Sequence, residues 1–264
     1  MDKYFDAPNH RLVCLGQPAS PELWDSRWET EDLGQFIREQ KNSWIVHTTR
    51  RFLTPGSRLL EGGCGRGDKV YALQAAGYEA YGLDYAQRTV EAIKRSVSEL
   101  TVCLGDLRQT PFPDKFFDGY WSLGVIEHLY GGYEAILSEM LRIIRPGGYL
   151  FLTFPEMSLL RKIKSAAGSY EPFMESKDTL RFFYQFMLEA GSVVRQFQAS
   201  GLQLVASRKL GGLLGLKEEI ECLHAAMEWV DGSQCLLARL AERIIDLLAR
   251  PVANHTVLLV FRRA

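Results

Sequence analysis

Short apolar segments alternate with amphipathic ones through the middle of this chain. Apolar runs of strand length are separated by stretches in which apolar residues recur every three or four positions, which is the period of a helix. The pattern predicts strands at residues 57–61, 79–83, 100–104, 117–122 and 149–154, and helices at 68–76, 86–97 and 133–144. Strands separated by such helices imply right-handed crossovers in a mainly parallel sheet. We therefore predict a doubly wound α/β fold.

The segments on either side of this alternation differ from it. Residues 1–20 carry Pro8, Gly16 and Pro18 without a period, which indicates an irregular arm, whereas residues 21–52 have helical spacing. Beyond Pro155 we predict a largely helical stretch at 156–200, a strand at 202–209, one or two helices at 213–249 broken near 231–232, and a final strand at 255–261.

These patterns also predict a domain organisation. We expect residues 1–55 to form an N-terminal arm and helices that cover a binding site, and residues 56–264 to form one core domain. Insertions at about 156–190 and 211–250 are the candidate lid over that site. Their aromatic and apolar side chains predict core packing for most of them and a partly apolar ligand for the rest: Tyr170, Phe173, Phe182, Phe183, Tyr184, Leu213, Leu214 and Trp229.

The composition is that of an ordinary globular protein. Of 264 residues, 47% are hydrophobic and 24% are charged, and the 31 basic residues are balanced by 32 acidic ones. Such a balance supplies no global field for nucleic acid, so we predict no nucleic-acid partner. A local run of Arg161, Lys162 and Lys164 is interpreted as a solvated helix face, with a phosphate or membrane contact as the alternative.

The cysteines and the absence of long apolar stretches indicate the compartment. The 5 cysteines include no CxxC pair, so neither a disulfide framework nor a metal site is predicted. No stretch approaches the ~20 apolar residues of a membrane span, so we predict no integral membrane segment. A cytoplasmic location is expected, and the sequence leaves the oligomeric state open.

A glycine-rich loop follows the first predicted strand of the core. It reads Glu61-Gly62-Gly63-Cys64-Gly65-Arg66-Gly67 and leads into a helix, which lets a ligand approach the backbone closely. Its glycines have the spacing GxGxG, so the dinucleotide fingerprint GxGxxG is not met, and the loop lacks the GK[ST] ending of a P-loop. The spacing disfavours a phosphate site.

Three acidic residues stand at the predicted strand ends. Glu61 can accept a charge-assisted hydrogen bond from an amino group, and Asp84 can accept both hydroxyls of a ribose. Asp106 is placed to accept from the exocyclic amine of a purine. Amino acid, ribose and adenine are the three parts of S-adenosylmethionine. For Asp84 taken alone, capping of the next helix is an equally good interpretation.

Six segments between about residues 56 and 155 resemble, in order and spacing, the class I S-adenosylmethionine-dependent methyltransferases. Within that class the chain is similar to the small-molecule group of methyltransferase types 11 and 12. The matching segments are residues 59–67, 81–86, 104–107, 112–118, 125–129 and 141–154. One departure is Glu61, where the family more often has aspartate.

The resemblance implies a Rossmann-like, seven-stranded sheet whose last strand is antiparallel and inserted near the edge. It also implies that S-adenosyl-L-methionine is the cofactor and that no metal is needed. The residues expected to bind it are Glu61, Gly62, Gly63, Gly65, Asp84, Tyr85, Asp106, Leu107, Ser122 and Leu123. An N-terminal helical segment commonly covers the cofactor in this family, so Trp24, Trp28 or Trp44 either lines the pocket or packs in the core.

His128 is the candidate general base, because histidine titrates near neutral pH and follows the fourth predicted strand. The alternative is that it only shapes the pocket.

The function predicted from these residues is methyl transfer to an O, N or C atom of a small, partly apolar molecule (EC 2.1.1.-). Two alternatives stay open at this point. One is a non-catalytic sensor or partner subunit that binds the cofactor, and the other is an NAD-dependent oxidoreductase.

Overall fold

Two β-sheets and the helices packed on them make up the fold. The computed structural model describes residues 1–40, 43–220 and 236–264. Its strands are β1 (Asp2–Asp6), β2 (Arg11–Leu15), β3 (Arg58–Gly62), β4 (Glu79–Asp84), β5 (Val102–Leu104), β6 (Phe117–Leu123), β7 (Ile144–Pro155), β8 (Glu171–Pro172), β9 (Phe183–Met187), β10 (Leu202–Leu210) and β11 (Thr256–Arg263).

The described helices lie between these strands. They are α1 (Pro21–Trp28), α2 (Leu33–Glu39), α3 (Ser43–Arg50), α4 (Asp68–Ala75), α5 (Gln87–Ser96), a 3₁₀ helix (Ile126–His128), α6 (Glu134–Ile143), α7 (Leu159–Ala166), α8 (Lys177–Arg181), α9 (Ala190–Ala199), α10 (Gly212–Glu219) and α11 (Leu236–Ala253). Within the described residues, none of the helices is long and apolar enough to cross a membrane.

The central sheet has seven strands in the order β10-β11-β7-β6-β3-β4-β5. Strands β3 to β7 pair in parallel, whereas β11 runs antiparallel to both of its neighbours. The predicted mainly parallel, Rossmann-like sheet with an antiparallel last strand is therefore confirmed. Because the parallel strands point the same way, β3, β4, β5 and β6 end along one edge, where ligands bind in folds of this type.

Helices cover both faces of this sheet. Alternate residues of β6 show the division, since Tyr120 packs with α6 and α9 on one side and Trp121 packs with α2 to α5 on the other. Trp121 is fully buried, stacks on Phe151 of β7 at 4.3 Å between ring centroids and donates to Thr49 of α3. The sheet is thus held rigidly beneath its carboxyl edge.

A second sheet was not predicted. It has four strands in the order β8-β1-β2-β9, and it joins the N-terminal hairpin to strands of the 156–190 insertion. The interpretation of residues 1–20 as an irregular arm is therefore wrong, and so is a purely helical 156–200. The hairpin pairs Leu12 with Met187, a partner so distant along the chain that local pattern holds no sign of it.

The basic run on α7 is also placed differently from the prediction. Arg161 is fully buried and donates to Glu219 at 2.9 Å, to Glu218 at 3.1 Å and to the carbonyl of Glu156 at 2.6 Å. Lys164 donates to Glu219 at 2.9 Å. The solvated-face interpretation is wrong for these two, because α10 supplies carboxylates that offset the cost of burying the charges.

Other predictions fall outside what the structure describes. The helix break near 231–232 and Trp229 lie outside the described residues, and the domain boundary at residue 55 stays a prediction.

Candidate functional site

The glycine loop turns between β3 and α4 in a conformation that favours glycine. Gly63, Gly65 and Gly67 have φ of +77°, +49° and +74°. A Cβ atom on Gly65 would lie 3.1 Å from the Trp28 ring, and one on Gly63 would lie 2.7 Å from Val125. Glycine at these two positions is therefore needed both for the backbone and for close approach of neighbouring groups.

Glu61 ends β3 beneath this loop. It is only 2% exposed, and one of its carboxylate oxygens has no hydrogen-bond partner among the described residues. Burial raises the pKa of Glu61 to about 8. An unpartnered buried oxygen is costly unless a donor meets it, so the position suits a cationic amino group.

Asp84 ends β4 next to the loop. One carboxylate oxygen accepts from the backbone nitrogen of Gly65 at 2.8 Å, and the other accepts from that of Ala86 at 2.9 Å. Burial raises the pKa of Asp84. A carboxylate has about four acceptor positions, so each oxygen can take one further donor. Asp84 therefore both holds the loop and can accept a pair of hydroxyls.

Asp106 follows β5 and is more open. Its exposed carboxylate pairs with Arg108 at 2.6 Å, and this hydrogen bond lowers the pKa of Asp106. Leu107 is buried beside it. The pair leaves acceptor positions on Asp106, but Arg108 is a competing cation that the sequence did not reveal.

A cavity of about 270 Å³ joins these residues at the carboxyl edge of the sheet. Its lining is Ala19, Trp24, Trp28, Gly63, Asp84, Tyr85, Asp106, Leu107, Arg108, Leu123, Gly124, Val125, His128, Leu129 and Ile136. Polar groups lie mainly on the β4 and β5 side, and apolar groups line the side of β6 and α6.

Helix α1 covers the cavity with aromatic rings. Trp24 and Trp28 stack with 5.7 Å between ring centroids, one helical turn apart. Asp25 fastens the helix in place, since it accepts from the backbone nitrogen and hydroxyl of Thr89 at 2.8 Å each. Of the three tryptophans considered, Trp24 and Trp28 line the cavity, whereas Trp44 packs against Trp121.

Not every predicted site residue reaches the cavity surface. Gly63, Asp84, Tyr85, Asp106, Leu107 and Leu123 line it, whereas Glu61, Gly62, Gly65 and Ser122 lie behind the lining. Ser122 is fully buried, and its hydroxyl has no partner among the described residues. Sequence reasoning missed Ala19, Arg108, Leu129 and Ile136, for which no local signal exists.

His128 lines the cavity where the 156–190 insertion meets it. Its Nδ1 lies 2.7 Å from the carbonyl of Tyr184, which can only accept, so Nδ1 carries the proton and Nε2 is an acceptor. Burial lowers the pKa of His128 to about 4, and the nearby Arg27 charge acts in the same direction. The ring is therefore neutral near pH 7.

Glu127, the neighbour of His128, is a second buried acid. It is 2% exposed, one oxygen has no partner among the described residues, and burial raises its pKa to about 8. This residue was not among the predicted site residues.

The candidate lid contributes less than predicted. The described residues of both insertions are absent from the cavity lining, and only Tyr184 comes close, through His128. Phe183 and Leu213 are buried in the protein interior, and Phe182 and Leu214 are exposed. Among the described residues, no His, Cys, Asp and Glu side chains are grouped so as to hold a metal ion.

Comparison with known proteins identifies the family of this fold. A family profile described as a methyltransferase domain matches residues 60–152. The chain is 35% identical over 146 residues to a fatty-acid O-methyltransferase of Mycolicibacterium smegmatis, covering 54% of this chain and 52% of that protein. It is 33% identical over 145 residues to a human protein named probable tRNA methyltransferase 9B, covering 54% of this chain and 28% of that one.

One solved structure extends the likeness over nearly the whole fold. The geranyl diphosphate C-methyltransferase of Streptomyces coelicolor A3(2) superposes with a TM-score of 0.53 at 14% identity, covering 96% of this chain and 91% of that one. At this identity the likeness concerns the fold alone. The chain spans about half the length of the first curated relatives it matches.

Proposed function

We infer that this chain, which belongs to the class I S-adenosylmethionine-dependent methyltransferases, binds S-adenosyl-L-methionine in the cavity under α1 and transfers its methyl group to a small, partly apolar molecule. The observation that carries this proposal is the pair of buried carboxylates at adjoining strand ends. Glu61 keeps one oxygen without a partner, and Asp84 keeps acceptor positions on both of its oxygens.

The groups around the cavity match the cofactor part by part. Glu61 suits the ammonium of the methionine moiety, and Asp84 with Tyr85 suits the ribose hydroxyls. Asp106 and Leu107 suit the adenine, and the stacked rings of Trp24 and Trp28 shield the site from water. Leu123 and the buried Ser122 lie toward the methionine end.

The cofactor supplies an already activated methyl group on its sulfonium, so the chain's own residues mainly orient the acceptor and exclude water. His128 offers Nε2 as a hydrogen-bond acceptor for a hydroxyl or amine of the acceptor molecule. Because its pKa is about 4, we assign it to orienting that group rather than to holding a full proton near pH 7.

The acceptor is proposed to be a small molecule because Val125, Leu129 and Ile136 make one side of the cavity apolar. The chain's formal net charge of -1 offers no general attraction for RNA. The GxGxG spacing and the buried Glu61 weigh against an NAD-dependent oxidoreductase, because a carboxylate at this place would repel a diphosphate.

Calorimetric titration with S-adenosylmethionine and S-adenosylhomocysteine tests the cofactor. We expect micromolar-range binding, weakened at least about tenfold by Asp84→Ala through loss of the ribose contacts. Asp118→Ala is the matched control, because Asp118 also accepts from a backbone nitrogen, that of Arg58, but at the far end of β6. Absence of binding by the wild type refutes the proposal.

A methyl-transfer assay with labelled cofactor tests the activity. The acceptors are long-chain fatty acids, phenols, quinols and unmodified tRNA. Labelling of an apolar small molecule supports the proposal, whereas labelling of tRNA alone refutes the acceptor class. Tight cofactor binding without transfer to any acceptor favours a sensor or partner subunit.

A further inference from the structure

Helix α11 has its apolar side turned outward. Five of its apolar side chains are between 43% and 73% exposed: Leu240, Ile244, Leu247, Leu248 and Val252. The spacing from Leu240 to Leu248 is i, i+4, i+7 and i+8, which places them on one face. We call these five residues, with Arg239 and Arg243 at their margin, the α11 outer face.

The inner face of α11 holds small and charged residues instead. It packs against α10 so closely that a Cβ atom on Gly215 would collide with the backbone of Ala253. Ala238 and Ala253 are buried there, and Asp246 accepts from Arg250 and from the backbone nitrogen of Leu213. In a helix that serves only the protein interior, the apolar stripe would point the other way.

The charges on α11 are divided in the same manner. Arg239 and Arg243, one turn apart, are exposed, whereas the acidic Glu242 and Asp246 are half-buried on the inner side. Along the described part of α11, the outward surface is therefore apolar and basic, without an exposed carboxylate. This combination is complementary to a surface that is apolar within and negatively charged at its boundary.

The outer face is also near the cavity end of the fold. Residue Ala253 ends α11, and Thr256 then pairs with Pro155, the last residue of β7. α11 thus joins the sheet at the edge where the parallel strands end. The neighbouring helix α7 contacts α11 and exposes Leu159 and Ile163, which lie four residues apart.

We propose that the α11 outer face binds the surface of an anionic lipid bilayer, with the helix axis parallel to the membrane. Leucine and isoleucine side chains enter the boundary between headgroups and acyl chains, and the two arginines contact anionic headgroups. This binding does not depend on the proposed methyl transfer. If the proposed function also holds, an apolar acceptor is delivered to the enzyme from the bilayer.

Sedimentation of the full chain with sucrose-loaded vesicles tests this proposal. We expect the partition coefficient on phosphatidylcholine vesicles containing phosphatidylglycerol to be at least about tenfold higher than on phosphatidylcholine alone, and to fall with added salt. Leu247→Ser with Leu248→Ser, and separately Arg239→Gln with Arg243→Gln, should each lower it at least about tenfold.

Met174→Ser is the matched control, because Met174 is 78% exposed at a distant position along the chain and should leave the partition coefficient unchanged. The proposal is overturned if the wild type stays in solution with anionic vesicles, or if both double variants bind as the wild type does. It is also overturned if the wild type is a dimer that the leucine substitutions convert to a monomer. Cofactor titration of the same samples separates each result from a failure of the proposed function.

Discussion

Replacing Glu61 with glutamine changes one oxygen of a buried side chain and removes its ability to ionise. In the folded protein without cofactor, burial raises the pKa of Glu61 from the ordinary 4.5 to about 8. In the unfolded chain the group ionises at its ordinary pKa. Between these two values the folded protein holds a proton that the unfolded chain has lost.

The sign of the effect on stability follows from this difference. Since the folded state binds more protons in this window, the free energy of unfolding decreases as the pH rises from about 4.5 to about 8. Each unit of pKa difference corresponds to about 1.4 kcal/mol, so above pH 8 the loss approaches roughly 5 kcal/mol. Glu61→Gln removes this loss, and we expect the variant without cofactor to be more stable than the wild type at pH 8.

Cofactor binding should respond in the opposite direction. A charge-assisted hydrogen bond from the cofactor's ammonium to Glu61 is worth about 1.5–3 kcal/mol, so Glu61→Gln should weaken binding roughly 10- to 150-fold. The wild type should also release up to about one proton at pH 7 when the ammonium binds, and the variant should release none.

Urea unfolding at pH 5 and pH 8 measures the first effect, and titration calorimetry in phosphate and Tris buffers measures the second. Glu79→Gln is the matched control, because Glu79 is exposed at the opposite end of β4. The reasoning is refuted if Glu61→Gln binds the cofactor as tightly as the wild type, with the same proton release. It is equally refuted if the variant is the less stable protein at pH 8.

Three further substitutions probe neighbouring parts of the site. Asp84→Asn should weaken adenosine binding at least about tenfold in a competition assay, because an amide cannot accept as a carboxylate does, whereas Glu61→Gln should leave adenosine binding unchanged; the reverse pattern contradicts the assigned roles. Gly65→Ala should lower the free energy of unfolding by more than Gly56→Ala, since both have positive φ but only Gly65 faces Trp28, and equal losses in urea unfolding contradict this. Burial lowers the pKa of His128 from 6.5 to about 4, so stability should fall as the pH drops through this window, and His128→Gln should remove that part of the dependence; an unchanged pH profile of unfolding contradicts the buried neutral ring.

Much of the central sheet and of the cofactor side of the site is predictable from sequence because its signals are local. Strand period, the glycines of the loop and an acid at the end of each strand all lie within a few residues of one another. Parallel strands then bring their ends together at one edge, so Glu61, Asp84 and Asp106 gather there as predicted. Their roles toward the cofactor stay predictions until binding is measured.

The cover of the site depends on contacts between distant segments. Trp24 and Trp28 reach the cavity because Asp25 binds Thr89 of α5, and His128 is oriented by a carbonyl of β9. Neither partner can be found from a local pattern.

The sequence by itself determined the order of the sheet's elements, the glycine loop and the acids beside it, because backbone conformation and period are properties of neighbouring residues. Only the tertiary structure decided which side chains are buried. Arg161 reads as a surface cation until Glu219 of α10 meets it, and α11 reads as an ordinary amphipathic helix until close packing on Gly212 and Gly215 turns its leucines outward. Burial is set by what packs on a residue from elsewhere in the chain, and for these residues that partner lies tens of positions away.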